Sequence, residues 1–376
     1  MKILITLIEA FILASLSQRR TNMLKEENRK DRFFFFLTFL IIVMFVGLRT
    51  RYNDTWVYIG NYRDSAIAST LSEFYKRHYS LADEWGFRLV SSFFKSIGFD
   101  EHLYIMAFSV FSTGVTLWYL RDNASNNFGD SVYLLFVTGT MSFELAALKQ
   151  VTATMIAFIA TNEALKGKWF KYSLLLFVAF TFHPFVLVFL VVPFVINKKP
   201  WEIDTILLIG ILFVLGIGMR FIAPLLVRFA ENYTVEGILS STVNPFRFLV
   251  SIVPVVVSFV YKDILYEDSS NKENLVAHLS ICCSMFMFWT LFADPSTVGR
   301  LASYFDLAAC SSLAWMIKKI YDKTGNQGLV LRIAMYAFYF AFFVYGNFYN
   351  KHFDQMYGAI TIQEFFLSVR KFVSGA

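Results

Sequence analysis

Apolar runs alternate with short polar gaps along nearly the whole chain. The runs fall at about 3–17, 33–48, 101–120, 131–146, 148–165, 172–182, 184–196, 203–219, 246–261, 275–293, 300–317 and 329–347. Backbone polar groups in lipid must pair internally, so these segments predict α-helices. The expected fold is an all-α polytopic membrane protein, one integral membrane domain over residues 1–376 with about 12 hydrophobic helical segments. A full crossing takes about 20 residues, so the shorter runs are expected to tilt or to re-enter.

One run is basic at both ends. YSLLLFVAFTFHPFVLVFLVVPFVI, residues 172–196, follows Lys171 and precedes Lys198. If both ends lie on one side, the chain turns inside the run, and His183-Pro184 is the place, because proline removes a donor and disfavours helix at the preceding residue. Two short arms with His183 near their apex are expected, forming a broken or re-entrant pair. The rival is one long kinked span, which inverts every later gap.

Lys and Arg set the orientation. The loop QRRTNMLKEENRKDR carries Arg19, Arg20, Lys25, Arg29, Lys30 and Arg32, which marks it as cytoplasmic. Alternate gaps hold Arg121; Lys166, Lys168 and Lys171; Lys198 and Lys199; Lys262 and Lys272; and Lys318, Lys319 and Lys323. The alternation puts both termini outside. Of the outer pieces, residues 49–100 include ADEWGFRLVSSFFKSIGF, whose helical alternation predicts an interfacial helix. A second outer piece, 220–245, carries Arg220, Arg228, Glu231 and an NYT triplet. The tail after 348 is mixed and aromatic, and no repeat, low-complexity linker or second domain is visible.

Composition agrees with the pattern. Hydrophobic residues make up 57% and charged residues 16%, with 44 Phe; a soluble domain carries about a quarter charged residues. The formal charge of +6 sits mostly in the gaps, so nucleic acid is not an expected partner. Cys282, Cys283 and Cys310 lie in apolar runs without metal or CxxC spacing, which marks them as small buried side chains. Residues 3–16 have the length of a signal h-region, but QRR follows instead of a small-residue cleavage site, so an uncleaved span is expected.

The charges left outside are the informative ones: Arg49, Arg51, Lys149, Arg220, Arg228, Arg247 and Arg300. Snorkelling accounts for any single arginine or lysine at a helix end, and for Arg220 and Arg228 it suffices. Arg49, Lys149, Arg247 and Arg300, however, open or close four different spans at one outer level. Such a set converges on an anion, and guanidinium forks match phosphate oxygens. Lys149-Gln150 sits between two spans with no polar loop, so the cation must face protein or a water-filled cavity. His183 breaks an apolar run beside proline and has the chemistry to take a proton from a hydroxyl or to bond a phosphate. Asp54 and Glu84 are outer carboxylates suited to orienting a cation or binding a sugar hydroxyl. Glu144 and Asp306, nearer span interiors, are functional candidates by default but rank below the arginines, since either could simply pair with a nearby cation. Tyr52, Trp56, Tyr58 and Trp85 offer flat faces and hydroxyls for sugar rings. No DxD, P-loop, GxGxxG, HExxH or GxSxG element occurs. Without a nucleotide site, an outer enzyme that handles phosphate needs a substrate already activated, as a lipid-linked sugar pyrophosphate is.

GLR at 47–49, NDTWVY at 53–58 and EWGF at 84–87 resemble the pattern of the EpsG-like branch of Wzy-type bacterial polysaccharide polymerases, which make O-antigen, capsule or exopolysaccharide. LKQVTATMIAFIA at 148–160 is similar to that family's Arg-Gln-led helix, with Lys149 in place of the arginine. KWFKYSLLLFVAFTFHPFVLV at 168–188 resembles its basic-aromatic turn and histidine, and GRLASYF at 299–305 its late arginine–tyrosine element, which brings in Tyr304. The resemblance implies a multi-pass glycosyltransferase of the bacterial inner membrane, working at the outer face on undecaprenyl-pyrophosphate-linked donor and acceptor glycans. It implies no nucleotide, no metal and no other cofactor; a chain-length regulator is a further partner to consider. Arg49, Arg51, Lys149, Arg247 and Arg300 are then expected to hold the pyrophosphate, with His183, Arg49 and Arg300 catalytic. Asp54, Tyr58, Glu84, Gln150 and Tyr304 are expected to bind or orient sugar. A glycan ligase of the same chemistry, a lipid-linked oligosaccharide flippase and a membrane-bound acyltransferase are the rivals.

Overall fold

Asp100 shows how polar residues start helices in this chain: its Oδ1 accepts from the backbone N–H groups of His102 and Leu103 at 3.0 and 2.9 Å and caps the Glu101–Asn123 helix. Asp31 does the same for Phe33–Gly47, accepting from Phe34 and Phe35 at 2.9 and 3.2 Å. Full capping boxes at Ser270/Glu273 and Thr361/Glu364 open Asn271–Trp289 and Ile362–Ser374. The computed structural model describes residues 1–24, 30–65, 84–124, 127–227, 234–239, 245–350 and 352–375. Lys25, Arg29, Arg228, Glu231, most of the NYT triplet and residues 66–83 of the long outer piece lie outside the described residues.

Among the described residues the fold is helical apart from one small ribbon. Strand β1 (Arg49–Arg51) pairs antiparallel with β2 (Gly358–Ala359), Arg49 opposite Ala359 and Arg51 opposite Gly358. The Tyr357 hydroxyl donates to the Phe45 carbonyl at 2.6 Å, and Ile360 N–H to Leu48 at 3.0 Å. The mixed tail thus clasps the end of the second helix, a pairing that separation in sequence conceals.

Each predicted apolar run is helical, but several differ in form. Glu101–Asn123 and Asn326–Asn350 are long and apolar enough to cross a bilayer, and two bent pairs raise that number to four. The run at 131–146 is two helices, Phe128–Val137 and Thr140–Ala146, because Gly139 adopts φ +91°, open to glycine but rarely to other residues. Thr140–Ala146 then meets Leu148–Leu165 at 120°. The run at 300–317 divides into Gly299–Ser303 and Asp306–Thr324. Residues Pro184–Val191 wind as a 3₁₀ helix, not as the expected α-helix.

The turn at His183 is observed. Trp169–Phe182 ends there with His183 extended (φ −159°, ψ 117°), as a residue before proline prefers. The Tyr172 hydroxyl donates to the Phe189 carbonyl at 2.7 Å. A straight span would separate those residues by roughly 25 Å, so the chain doubles back.

Polar gaps that share a predicted side also share an end of the bundle. Lys30 and Lys272 both pair with Asp122, Arg121 Nη1 donates to the Asp31 carbonyl at 2.9 Å, and Asn271 meets Asn197 at 3.3 Å. The first helix, Lys2–Met23, runs from Met1, paired with Asp354, to Arg20, 3.5 Å from Asp31. Its 22 residues span about 33 Å, close to the ~30 Å of a hydrocarbon core.

The predicted outer helix exists as Trp85–Ser96. It lies hard against Trp169–Phe182: a Cβ on Gly86 would fall 2.0 Å from Thr181 Oγ1 and 2.7 Å from Thr181 Cβ. The EWGF glycine therefore allows a close helix contact that brings residue 84 to the His183 turn. Gly86→Ala is expected to destabilise the protein by about 1–3 kcal/mol through overpacking, read as a lower unfolding midpoint in detergent, with Thr181→Gly restoring part of the loss. An unchanged midpoint in Gly86→Ala would remove this contact as a constraint.

Candidate functional site

Lys149 opens the Leu148–Leu165 helix just after the 120° bend. Its ammonium pairs with Glu84 Oε2 and stands over the rings of Phe87 at 5.4 Å and Tyr58 at 5.9 Å. The aromatic faces and the carboxylate together stabilise a half-buried cation. Glu84 itself is left-handed (φ 50°) at the head of Trp85–Ser96, a conformation that costs a non-glycine residue on the order of 1–3 kcal/mol. The Gly86 contact and the Lys149 pairing hold it there.

The other Glu84 oxygen, Oε1, is 4.0 Å from His183 Nε2, and His183 Nδ1 is 2.6 Å from the Tyr304 hydroxyl. Gln150 Nε2 donates to the Arg300 carbonyl at 2.7 Å and ties the start of one helix to the short helix that carries Arg300. Among the described residues the Arg300 side chain makes no hydrogen bond or ion pair. Arg247 is close by, its Nη1 4.0 Å from where a Cβ on Gly299 would lie.

These groups line one cavity of about 700 Å³, within the range of small-molecule sites. Asp54, Tyr58, Glu84, Lys149, Gln150, His183, Arg247 and Arg300 all face it. Burial, with the Asp54 and Glu84 carboxylates behind it, holds the Tyr58 phenol well above its ordinary range, so it is a neutral donor. Tyr304, fully buried, stands behind His183.

Two predicted clamp residues are elsewhere. Arg49 is 2% exposed and faces inward: Nε donates to Thr55 Oγ1 at 3.2 Å, and Nη1 to Ser109 Oγ at 3.0 Å and to the Val46 carbonyl. It joins the second helix to Thr55–Asp64 and Glu101–Asn123. Arg51 points out along the ribbon, its Nη2 2.6 Å from the Gln355 carbonyl. Neither guanidinium lines the cavity: a span-end arginine looks the same in sequence whether it caps carbonyls or faces a cavity. Trp56, Trp85 and Glu144 are also absent from the lining. Glu144 is buried, accepting from Thr116 at 2.7 Å, and Arg220 lies over the Phe221 ring at 4.9 Å.

The cavity has a polar wall that the sequence reading missed, with Thr138, Thr140, Ser142, Asn347 and Asn350 in its lining and the Ser142 hydroxyl donating to Asn347 Oδ1 at 3.4 Å. Asp306 also lines it, its Oδ1 accepting from Cys283 Sγ at 3.3 Å. The signal was the i, i+3 pair of asparagines in an otherwise aromatic tail, legible only once that tail is known to return to the bundle.

Comparison with curated proteins and with solved structures gives no match. The model of the EpsG family matches residues 32–359, which include every cavity-lining residue named above. The chain belongs to the EpsG family.

Proposed function

We propose that the protein is a bacterial polysaccharide polymerase of the inner membrane. It transfers a growing glycan from undecaprenyl pyrophosphate to a lipid-linked repeat unit at the outer face, without nucleotide, metal or other cofactor. The observation that carries this reading is the meeting of Lys149, Arg247 and Arg300, from three distant segments, around one cavity that also holds His183 and Glu84. Family membership supports the same class.

In this mechanism Arg300 is the principal clamp, because its guanidinium is uncommitted among the described residues and presents a fork to phosphate oxygens. Lys149 and Arg247 add point charge. As the bond from the donor sugar's C1 to the pyrophosphate oxygen breaks, negative charge grows on the leaving group. Fixed cations then stabilise the transition state more than the ground state. Asp54, Tyr58, Gln150 and the Asn347–Asn350 wall supply donors and acceptors for sugar hydroxyls, and His183 assists the attacking hydroxyl. A ligase would share this chemistry but yield one transfer per acceptor instead of a ladder. A flippase would need its cations on a path open to both faces, whereas the Asp122 and Asp31 contacts lie at the far end of the bundle.

Arg300→Ala is expected to lower polymer formation from isolated lipid-linked repeat units by at least about 100-fold at an unchanged protein level, with Arg300→Lys intermediate. Long polymer from Arg300→Ala would end the clamp assignment. Arg49→Ala, by contrast, should act on stability: losing the buried network costs about 1–3 kcal/mol per group left unpaired, seen as a lower unfolding midpoint. Sidedness has its own measurement, helped by three native cysteines that are all buried. Asn53→Cys should react with a membrane-impermeant maleimide in intact cells, and Asn271→Cys only after permeabilisation. The reverse pattern would contradict an outer site, and labelling of Asn53→Cys from both faces would favour a flippase.

A further inference from the structure

We propose that Glu84, rather than His183, takes the proton of the attacking sugar hydroxyl, and that His183 is a fixed hydrogen-bond donor that positions that hydroxyl. The assignment rests on the polymerase reading and goes beyond it by naming the base.

Tyr304 sets the tautomer of His183. Its hydroxyl is fully buried, and among the described residues its one hydrogen-bond partner is His183 Nδ1, at 2.6 Å. If the phenol accepted from Nδ1–H, its own proton would be buried without an acceptor, at a cost of about 1–3 kcal/mol. Donation from Tyr304 to Nδ1 satisfies both groups. The ring proton is then on Nε2, since a neutral imidazole carries one proton and accepts at the other nitrogen. In that tautomer His183 has no spare lone pair for a substrate: Nδ1 is occupied and Nε2 is a donor.

Nε2–H faces Glu84 Oε1 across 4.0 Å, too long for a direct hydrogen bond. A hydroxyl oxygen about 2.8 Å from each atom bridges that gap. There it accepts from Nε2–H, gives its own proton to Oε1, and keeps a lone pair for attack. Glu84 has the capacity, because a carboxylate offers about four acceptor positions and, among the described residues, the hydrogen bond it accepts is at Oε2, from Lys149. Its left-handed backbone and the tight Gly86 contact keep Oε1 in place.

The step balances. The hydroxyl oxygen forms the new bond to C1 of the donor sugar as the bond from C1 to the pyrophosphate oxygen breaks. That electron pair leaves on the pyrophosphate beside Arg300 and Lys149. The hydroxyl proton moves to Glu84, which releases it to water at the cavity mouth before the next cycle.

The test uses purified full-length protein and the undecaprenyl-pyrophosphate oligosaccharide isolated from host cells lacking this gene. Glu84→Gln keeps shape and an acceptor toward Lys149 but is no base. It is expected to lower kcat by about 10²–10⁴-fold with KM little changed, and Glu84→Asp should recover part of the loss. His183→Gln supplies a donor N–H near the Nε2 position and should stay within about tenfold of wild type, well above His183→Ala. An active Glu84→Gln, or a His183→Gln as inactive as His183→Ala, overturns the proposal. If Glu84→Gln does not fold, the two His183 variants decide alone. If the wild-type protein yields no glycan ladder from this substrate, the polymerase reading fails first and the base assignment with it. A ladder from wild type together with an active Glu84→Gln sinks only the base.

Discussion

A cation at the start of an apolar helix needs a partner, and in this protein Glu84 meets that need for Lys149. An unpaired ammonium at membrane depth is costly, so the contact constrains everything near it. It pins the outer helix to the Leu148–Leu165 helix, and the Gly86–Thr181 approach pins the same helix to the His183 turn. Four stretches far apart in sequence are brought to one place, with Arg300 joined through Gln150. The cavity is the space left between them.

The two kinds of arginine show how burial decides role. Arg49 and Arg300 both sit at an end of an apolar run, but Arg49 spends its donors on Val46, Thr55 and Ser109. Arg300 keeps its donors facing the cavity. A guanidinium whose donors are bound to protein has none left for a phosphate. One arginine holds the fold that presents the other.

How much of this was legible in the sequence follows from the range of each signal. Apolar runs and basic gaps are local, and every run proved helical. The His183-Pro184 turn was legible because proline acts on its neighbour. The breaks at Gly139 and near Tyr304 were overlooked, although Thr138, Thr140 and Ser142 around the first, and Ser303 and Asp306 around the second, interrupt the apolar runs. The site was half legible. Lys149 betrayed itself by having no loop, whereas Asn347 and Asn350 depend on a tail that folds back across hundreds of residues. Arg49 misled because the sequence of a span end does not reveal which way the side chain turns. The relay from Tyr304 through His183 to Glu84 joins three segments and was invisible as a unit, though each member was singled out alone.

In the polymerase reading, convergent cations in one cavity grip the head group of a lipid carrier. An experimental structure of the detergent-solubilised protein with undecaprenyl pyrophosphate tests it most directly. Both phosphates are expected inside the cavity, with oxygens in hydrogen-bond reach of Arg300 and at least one of Lys149 and Arg247. A head group bound elsewhere on the protein, with the cavity free of phosphate, would contradict this.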